Sequence, residues 1–532
     1  MKHIFRNLFG SIACTIGALG ATSLATAAEP PVPKLADYQD SGELICAWKE
    51  GAAKEVIRAC EKLGFTIKNG SYASHWVVCS WKNGLKEETL AELKKHPGVR
   101  FVEPNVSRSL PSVSTDDAFG PKLGAANGVT PKDPLFDQLY GMKNIGANLA
   151  WRVGQSTPII VAVVDTGVDY THEDLKDNMW RNPKPGAKDV HGADFINTNF
   201  ELDRESGKNK LIPGNDPMDE HYHGTHVAGT IGALGDNGLG VTGVAWKVQI
   251  MAVRCLGANG NSKADSIANA IRYAADNGAR VINLSVGGRF FSQAEAEAVE
   301  YAGSKGAILV CAAGNKKDKD PELDNDKVPE YPASHKSSHI VTVANIDVKE
   351  ALNPGSHFGK STVHIAGPGT NILSTIPMIK TAQMKAEEKQ FNFSFSSKYS
   401  LLTGTSMAAP HVSGAIALVM AHPKFQGKSP REVADVVLKN ARKISSATGK
   451  TTTEGTLDIS FLGKLDNVLK PIDPKDPVVI KPVDPIKPID PIKPVTPYDP
   501  VIKTLVKPID PKDCEKDCPI PPKGTTPLPA KK

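Results

Sequence analysis

Four short blocks hold residues able to do covalent chemistry together. In chain order they are Val161-Ala-Val-Val-Asp165-Thr-Gly167, His223-Gly-Thr-His226-Val-Ala-Gly229-Thr, Ala312-Ala-Gly-Asn315 and Gly404-Thr-Ser406-Met-Ala-Ala-Pro410-His-Val. A serine hydroxyl is a weak nucleophile and needs a base within hydrogen-bonding reach. An imidazole supplies that base when an acid holds it in the right tautomer. A donor must also wait where negative charge develops on the attacked carbonyl. Each block contributes one of these parts, although an isolated Asp after a strand or a lone His is usually structural. A Gly-x-Ser-x-Gly elbow, the mark of an esterase, is absent around Ser406 because the second glycine is missing.

Such residues act only if the chain brings them together. Asp165 ends an apolar strand, at the sheet edge where α/β folds place their sites. His223 opens a helix of small residues that can pack tightly under a cleft. Ser406 begins another helix, whose N-terminus stabilises negative charge, and Pro410 is expected in its first turn. Around these blocks run continuous apolar stretches at Pro158–Val164, Gln249–Cys255, Val281–Leu284, Ala307–Ala312 and Ile340–Ala344. Helical patterns lie between them, at Ala264–Asn277 and Gln293–Lys305. Buried strands alternating with amphipathic helices predict an α/β fold, a parallel sheet with helices on both faces. Ahead of it, residues 29–110 read as a small α+β unit. Strands are expected at Glu43–Trp48, His75–Trp81 and 98–104, and helices at Ala52–Leu63 and Leu85–Lys95.

The four blocks, in this order, resemble the subtilisin-like serine proteases (subtilases, peptidase family S8) over about 133–467. That resemblance implies a serine endopeptidase of broad specificity working through an acyl-enzyme. Ser406 would be the nucleophile, His223 the general base and then acid, Asp165 its orienting partner, and Asn315 a side-chain donor to the oxyanion. His226, one turn further along the helix, is expected to be structural. Leu284-Ser285-Val286-Gly287 is similar to the strand that pairs with an extended substrate in this family, making Ser285, Val286 and Gly287 substrate-binding residues. Lys316 beside that pocket suggests weak acceptance of basic residues and better tolerance of acidic ones before the cut, or has no influence. The Asp165-Thr-Gly and Gly-Thr-His-Val runs depart from the dibasic-specific kexin branch, so prohormone-type processing is not expected. Asp174 and the loop Leu234-Gly-Asp236-Asn237-Gly-Leu-Gly240 resemble a structural calcium site, with either Asp236 or Asn237 as ligand; the alternative is an Asx-rich turn without metal. The 29–110 unit, ending in Phe101-Val-Glu-Pro-Asn105, resembles a ferredoxin-like, inhibitor-I9-type propeptide. It would aid folding and inhibit the enzyme until cut between about Val106 and Asp133, in a 111–132 linker. Insertions around Asn197–Asn215 and at Pro377–Lys398 depart from the family pattern and are candidates to reshape the cleft.

The rest of the chain bounds the setting. Residues 1–28 have the order of a secretory signal peptide: basic start, apolar run, and Ala25-Thr-Ala27-Ala. The run is short and rich in Gly and Ser, which disfavours an uncleaved anchor. The protein is thus expected to be secreted, as a monomer. With eight cysteines in 532 residues, its core rather than disulfides must hold it together. Cys255 and Cys311 are expected as buried free thiols, and only Cys514 and Cys518 are spaced for a local bridge. A formal charge of +5 with dispersed lysines gives no footprint for nucleic acid. From 470 to 532 prolines fall at every third position between 482 and 500, the period of a polyproline II helix. That tail reads as a stiff spacer, on the order of 100 Å long, serving as a solvated linker or as a contact to the cell envelope.

Overall fold

The computed structural model describes residues 30–72, 75–112, 114, 128–317, 322–391 and 394–465. The expected signal peptide, most of the 111–132 linker, Cys514, Cys518 and the proline-rich tail lie outside them.

The N-terminal unit is built from strands β1 (Glu43–Trp48), β2 (Thr66–Gly70), β3 (Trp76–Ser80) and β4 (Val99–Pro104), with helices Ala53–Lys62 and Glu87–Lys95 between them. The sheet order β2-β3-β1-β4 is antiparallel throughout, the ferredoxin-like arrangement expected. β1 is buried almost end to end rather than in alternation, because both of its faces are covered. Leu44 and Cys46 pack with Val56, Ile57 and Cys60 of the unit's own helix. Ile45 and Ala47 pack into the core of the main domain, with Ile267 and Ile271.

The remaining strands are β5 (Ser107–Ser109), β6 (Ser156–Asp165), β7 (Gly192–Asp203), β8 (Lys208–Gly214), β9 (Lys247–Arg254), β10 (Asn261–Lys263), β11 (Val281–Leu284), β12 (Ile308–Ala312), β13 (Ile340–Ile346), β14 (Ile365–Pro368), β15 (Ile372–Thr375), β16 (Tyr399–Leu402), β17 (Arg442–Lys443) and β18 (Gly455–Thr456). Ten of them form one sheet, in the order β17-β18-β14-β13-β12-β11-β6-β9-β7-β8. Its centre is parallel, and both edges turn antiparallel at β7–β8 and β17–β18. Central strands buried on two faces explain the unbroken apolar runs. One face carries helices His223–Gly232 and Thr405–Ala421, which share a core with Val161, Val163, Val310 and Val343. The other carries Ala264–Asp276 and Gln293–Ser304, packed on Ala162, Val164, Ile282 and Leu284.

The 197–215 insertion is the hairpin β7–β8. It leans on the N-terminal unit: Phe200 joins that unit's core, and Arg204 Nε donates to Glu61 at 2.6 Å. Cys255 directly follows β9 and Cys311 lies in β12, with β6 and β11 between them. Both thiols are free and buried, as expected. Among the described residues no helix is long and apolar enough to cross a membrane.

Candidate active site

Asp165 is the last residue of β6, fully buried at the carboxyl end of the sheet. Its carboxylate accepts from His223 Nδ1 at 2.8 and 3.0 Å and from Thr166 N at 2.7 Å. The second bond pins the carboxylate plane against the strand end, so the imidazole meets an acceptor that cannot rotate away. His223 is the first residue of its helix, and Asp219 secures that helix start. Asp219 accepts from Thr225 N and Oγ1 at 3.0 and 2.6 Å, from His221 N at 2.9 Å and from Thr166 Oγ1 at 2.9 Å. Burial pushes the Asp219 carboxyl up to about 6 despite these donors. The sequence reading missed Asp219; its one signal is an acid ahead of a helix start, a common capping residue. The His226 ring donates from Nε2 to the carbonyls of Ile372 and Ser400 (2.9 and 3.0 Å), and burial pushes its imidazole down to about 3. It ties its helix to β15 and β16, the structural part expected of it.

Ser406 is the second residue of the 17-residue helix Thr405–Ala421, which packs on both the His223 helix and β6. Pro410 is not in the first turn, as expected, but inside the helix. Its missing N–H leaves the carbonyl of Ser406, four residues earlier, without its helical donor. Ser285 Oγ fills that role, donating to Ser406 O at 3.2 Å and itself accepting from Asn283 Nδ2 at 3.1 Å. Ser285 therefore holds the backbone of Ser406 from below. The Ser406 hydroxyl and His223 Nε2 are both buried, and among the described residues neither has a hydrogen-bond partner. The two helices that carry these groups pack against each other.

Asn315 follows β12. Its Oδ1 accepts from Thr405 N and Thr405 Oγ1, both at 2.9 Å, which turns its amide N–H group outward. There Nδ2 donates to the carbonyl of Ser112 at 2.7 Å. Thr405 orients the amide, a role that no local sequence signal announces.

Ser112 belongs to a segment that runs from the N-terminal unit past Asn315, and Ser114 beyond it exchanges both backbone hydrogen bonds with Thr403. β5 pairs antiparallel with β10. Ser109 and Gly287 exchange both backbone hydrogen bonds at 3.0 Å, and Leu110 N donates to Gly260 O at 2.9 Å. Residues 107–110 thus lie as a middle strand between 260–263 and 285–288. Gly287 meets the segment through its backbone, while Val286 is wholly buried. A side chain on Gly287 would place its Cβ 2.5 Å from Glu330 Oε1. Lys316 is exposed, whereas Glu330 is buried directly behind the pairing strand. Glu330 pairs with Arg289 at 3.4 Å and with Lys317 at 3.8 Å.

The loop 234–240 follows the C-terminal end of the His223 helix and closes on two buried acids. Asp174 accepts from Asn237 Nδ2 at 2.7 Å, and from Val241 N and Tyr399 OH at 3.0 Å each. Asp133 accepts from the backbone of Asp236, Asn237 and Gly238 at 2.8–3.2 Å. Asp236 itself turns away to Lys132, so of the two candidates only Asn237 touches Asp174. Burial, and next the charge of Asp174, push the Asp133 carboxyl up, against the pull of its backbone donors. Among the described residues neither acid has a cationic partner, and no three His, Cys, Asp or Glu side chains gather as a ready metal site. Asp133 escaped the sequence reading because it lies over a hundred residues from the loop.

The 377–398 insertion forms helix Ala382–Phe391 and borders the site. Thr381 Oγ1 donates to His221 O at 2.7 Å, and Tyr222 OH to Glu387 at 2.8 Å. It thereby braces the two residues preceding His223.

This arrangement has close relatives. Residues 156–461 match the model of the subtilase family. Thermitase of Thermoactinomyces vulgaris is 34% identical over 330 residues, covering 62% of this chain and 97% of that protein. The major intracellular serine protease of Bacillus subtilis (strain 168) is 36% identical over 292 residues, 54% of this chain and 77% of that one. Among solved structures, fervidolysin from Fervidobacterium pennivorans, a keratinolytic enzyme related to subtilisin, superposes with a TM-score of 0.63 at 25% identity. That match covers 79% of this chain and 60% of the fervidolysin chain.

Proposed function

Because this chain belongs to the subtilase family and is a serine endopeptidase, we propose that Ser406, His223, Asp165 and Asn315 are its catalytic residues and that it is made as a secreted, self-inhibited precursor. In this reading Ser406 Oγ attacks the substrate carbonyl carbon while its proton passes to His223 Nε2. Asp165 supports the resulting imidazolium, and the Asn315 amide stabilises the oxyanion. His223 then protonates the leaving amine as the C–N bond breaks. Water, activated by the same imidazole, hydrolyses the acyl-enzyme.

One observation carries the precursor reading: the 107–112 segment lies antiparallel between two strands with the Ser112 carbonyl on the Asn315 amide. A strand added to an exposed edge is how extended peptides are held with little sequence preference. The N-terminal unit would be a propeptide occupying the cleft, removed by a cut in the 106–133 region. Secretion rests on the signal-like residues 1–28. To test this, an arylsulfonyl fluoride should label Ser406 in the processed protein, block casein digestion, and leave the uncleaved precursor unlabelled. Labelling of the precursor at the same rate would remove the propeptide from the cleft.

The propeptide grip should depend on pH. Glu103, on β4, accepts from Ser292 Oγ at 2.9 Å, Gln293 N at 2.6 Å and Ala294 N at 3.1 Å. These donors stand at the start of helix Gln293–Ser304. Burial outweighs them and pushes the carboxyl up from 4.5 to about 7. Docked Glu103 therefore keeps a proton that a released propeptide gives up, so docking takes up a proton between those two values. Rising pH across that window weakens docking, by up to about tenfold per pH unit. Fluorescence titration of propeptide with mature enzyme from pH 4.5 to 8 measures the slope, and Glu103→Gln should flatten it.

Calcium is proposed at the 234–240 loop. Two buried acids that share one loop and, among the described residues, have no cationic partner suit a hard cation, for which the Asn237 amide, now donating to Asp174, would turn its oxygen inward. Asp174, Asn237 and Asp133 would hold it and the ion would stiffen the loop. Chelation is expected to lower the melting temperature by roughly 5 °C or more, with recovery on adding calcium. Asp174→Asn should abolish the difference. Equal melting with chelator and with calcium would leave only an Asx-rich turn.

A further inference from the structure

Resting on the reading of 107–112 as a substrate-mode occupant, we propose that the catalytic domain contains a guanidinium-selecting pocket built on Glu295, and that the protease favours substrates with arginine about four residues upstream of the cut.

Arg108 stands one residue before the Ser109–Gly287 pair, and its side chain turns down into the catalytic domain, fully buried. Its Nε donates to Glu295 Oε1 at 2.8 Å and its Nη2 to Glu295 Oε2 at 2.5 Å. This is a fork-on-fork geometry that a lysine cannot reproduce. Nη2 also donates to the carbonyl of Phe290 at 2.9 Å. The groups that bind the guanidinium, the Glu295 carboxylate and the Phe290 carbonyl, both belong to the catalytic domain. A Cβ on Gly288 would come within 3.0 Å of Nη1, so the floor is open only because that position is glycine. Behind the carboxylate His335 Nε2 lies 3.7 Å away, packed against the rings of Phe291 and Tyr331.

The position of Glu295 makes the pocket more than a latch for one arginine. Glu295 has no exposed surface and sits on helix Gln293–Ser304 of the catalytic domain, which remains after the 107–112 segment leaves. Burial by itself would raise its carboxyl; Arg108, with His335, holds it below its ordinary value instead. Once Arg108 departs, a buried carboxylate loses its bidentate partner, which is costly unless another cation replaces it. An incoming chain follows the same backbone track between 260–263 and 285–288, so its side chain at this register enters the same pocket. Arginine restores all three hydrogen bonds. An apolar side chain leaves the carboxylate unpaired, and an acidic one sets two like charges together.

The test is digestion of a denatured proteome by the mature enzyme, with the cut sites identified by mass spectrometry. Arginine is expected at one position three to five residues ahead of the cut, enriched by at least about tenfold, with lysine well behind. For a matched peptide pair, Arg against Gln at that position should favour Arg mainly through KM. Glu295→Gln should erase both preferences. Because the substrate is varied, the wild-type result stands even if the variant fails to fold. Digestion without upstream arginine enrichment would overturn the pocket while leaving the protease intact. Arginine enrichment that persists in folded Glu295→Gln would assign it elsewhere. No digestion at all would sink the functional reading itself, and the pocket with it.

Discussion

Ser406→Ala is expected to lower turnover by about six orders of magnitude, the loss that follows removal of a triad nucleophile, and to leave the precursor uncleaved. The side chain removed is one buried hydroxyl, which among the described residues has no hydrogen-bond partner. Its loss therefore breaks no contact that holds the fold, and the variant should melt close to the wild type. The Ser406 carbonyl, the group that does hold structure through Ser285, is untouched. Activity and stability should thus separate cleanly. The measurement is casein hydrolysis together with the precursor's size on a denaturing gel and a thermal melt. A variant that matures and digests casein as the wild type does would remove Ser406 from the chemistry. Mixing inactive precursor with a trace of wild-type enzyme then tells whether maturation occurs within a chain or between chains.

Asp165→Asn should cost about ten-thousandfold in turnover with KM little changed. Asn keeps the shape, so Thr166 N can still donate to a side-chain oxygen in the position it now meets at 2.7 Å. The His223 side then faces an amide N–H group in place of an acceptor, and the imidazole turns to the tautomer with its proton on Nε2. That tautomer cannot take a proton from Ser406. The negative charge that would support the imidazolium is gone as well. Because Asp165 has no exposed surface, removing its charge should not unfold the protein, and the effect should lie in kcat. A fall in kcat below tenfold, measured on a soluble peptide substrate, would reduce Asp165 to a structural residue.

Much of this was legible in the linear chain, for a physical reason. Strand and helix patterns depend on neighbours within a few residues, so β1, β11 and the helices Ala264–Asp276 and Gln293–Ser304 fall within a residue or so of expectation. The reactive blocks are equally local: a strand-end acid, a helix-start histidine and a helix-start serine keep their setting wherever the blocks lie. Pro410 shows the boundary. Its effect on the helix was foreseeable, but Ser285, more than a hundred residues away, decides how the freed carbonyl is satisfied. Thr405 aims Asn315 across a separation of 90 residues, and Asp133 closes the acidic loop across 104.

By itself, then, the sequence determined the fold class, the element pattern and the four reactive blocks that mark a serine endopeptidase. Only the tertiary structure decided what those blocks face: a segment of the chain's own N-terminal part, with Ser112 on Asn315 and Arg108 on Glu295, 187 residues apart. Nothing in the local sequence around Arg108 or Glu295 distinguishes either from a solvated charge. Their pairing exists because the strand track sets the register and both side chains are fully buried.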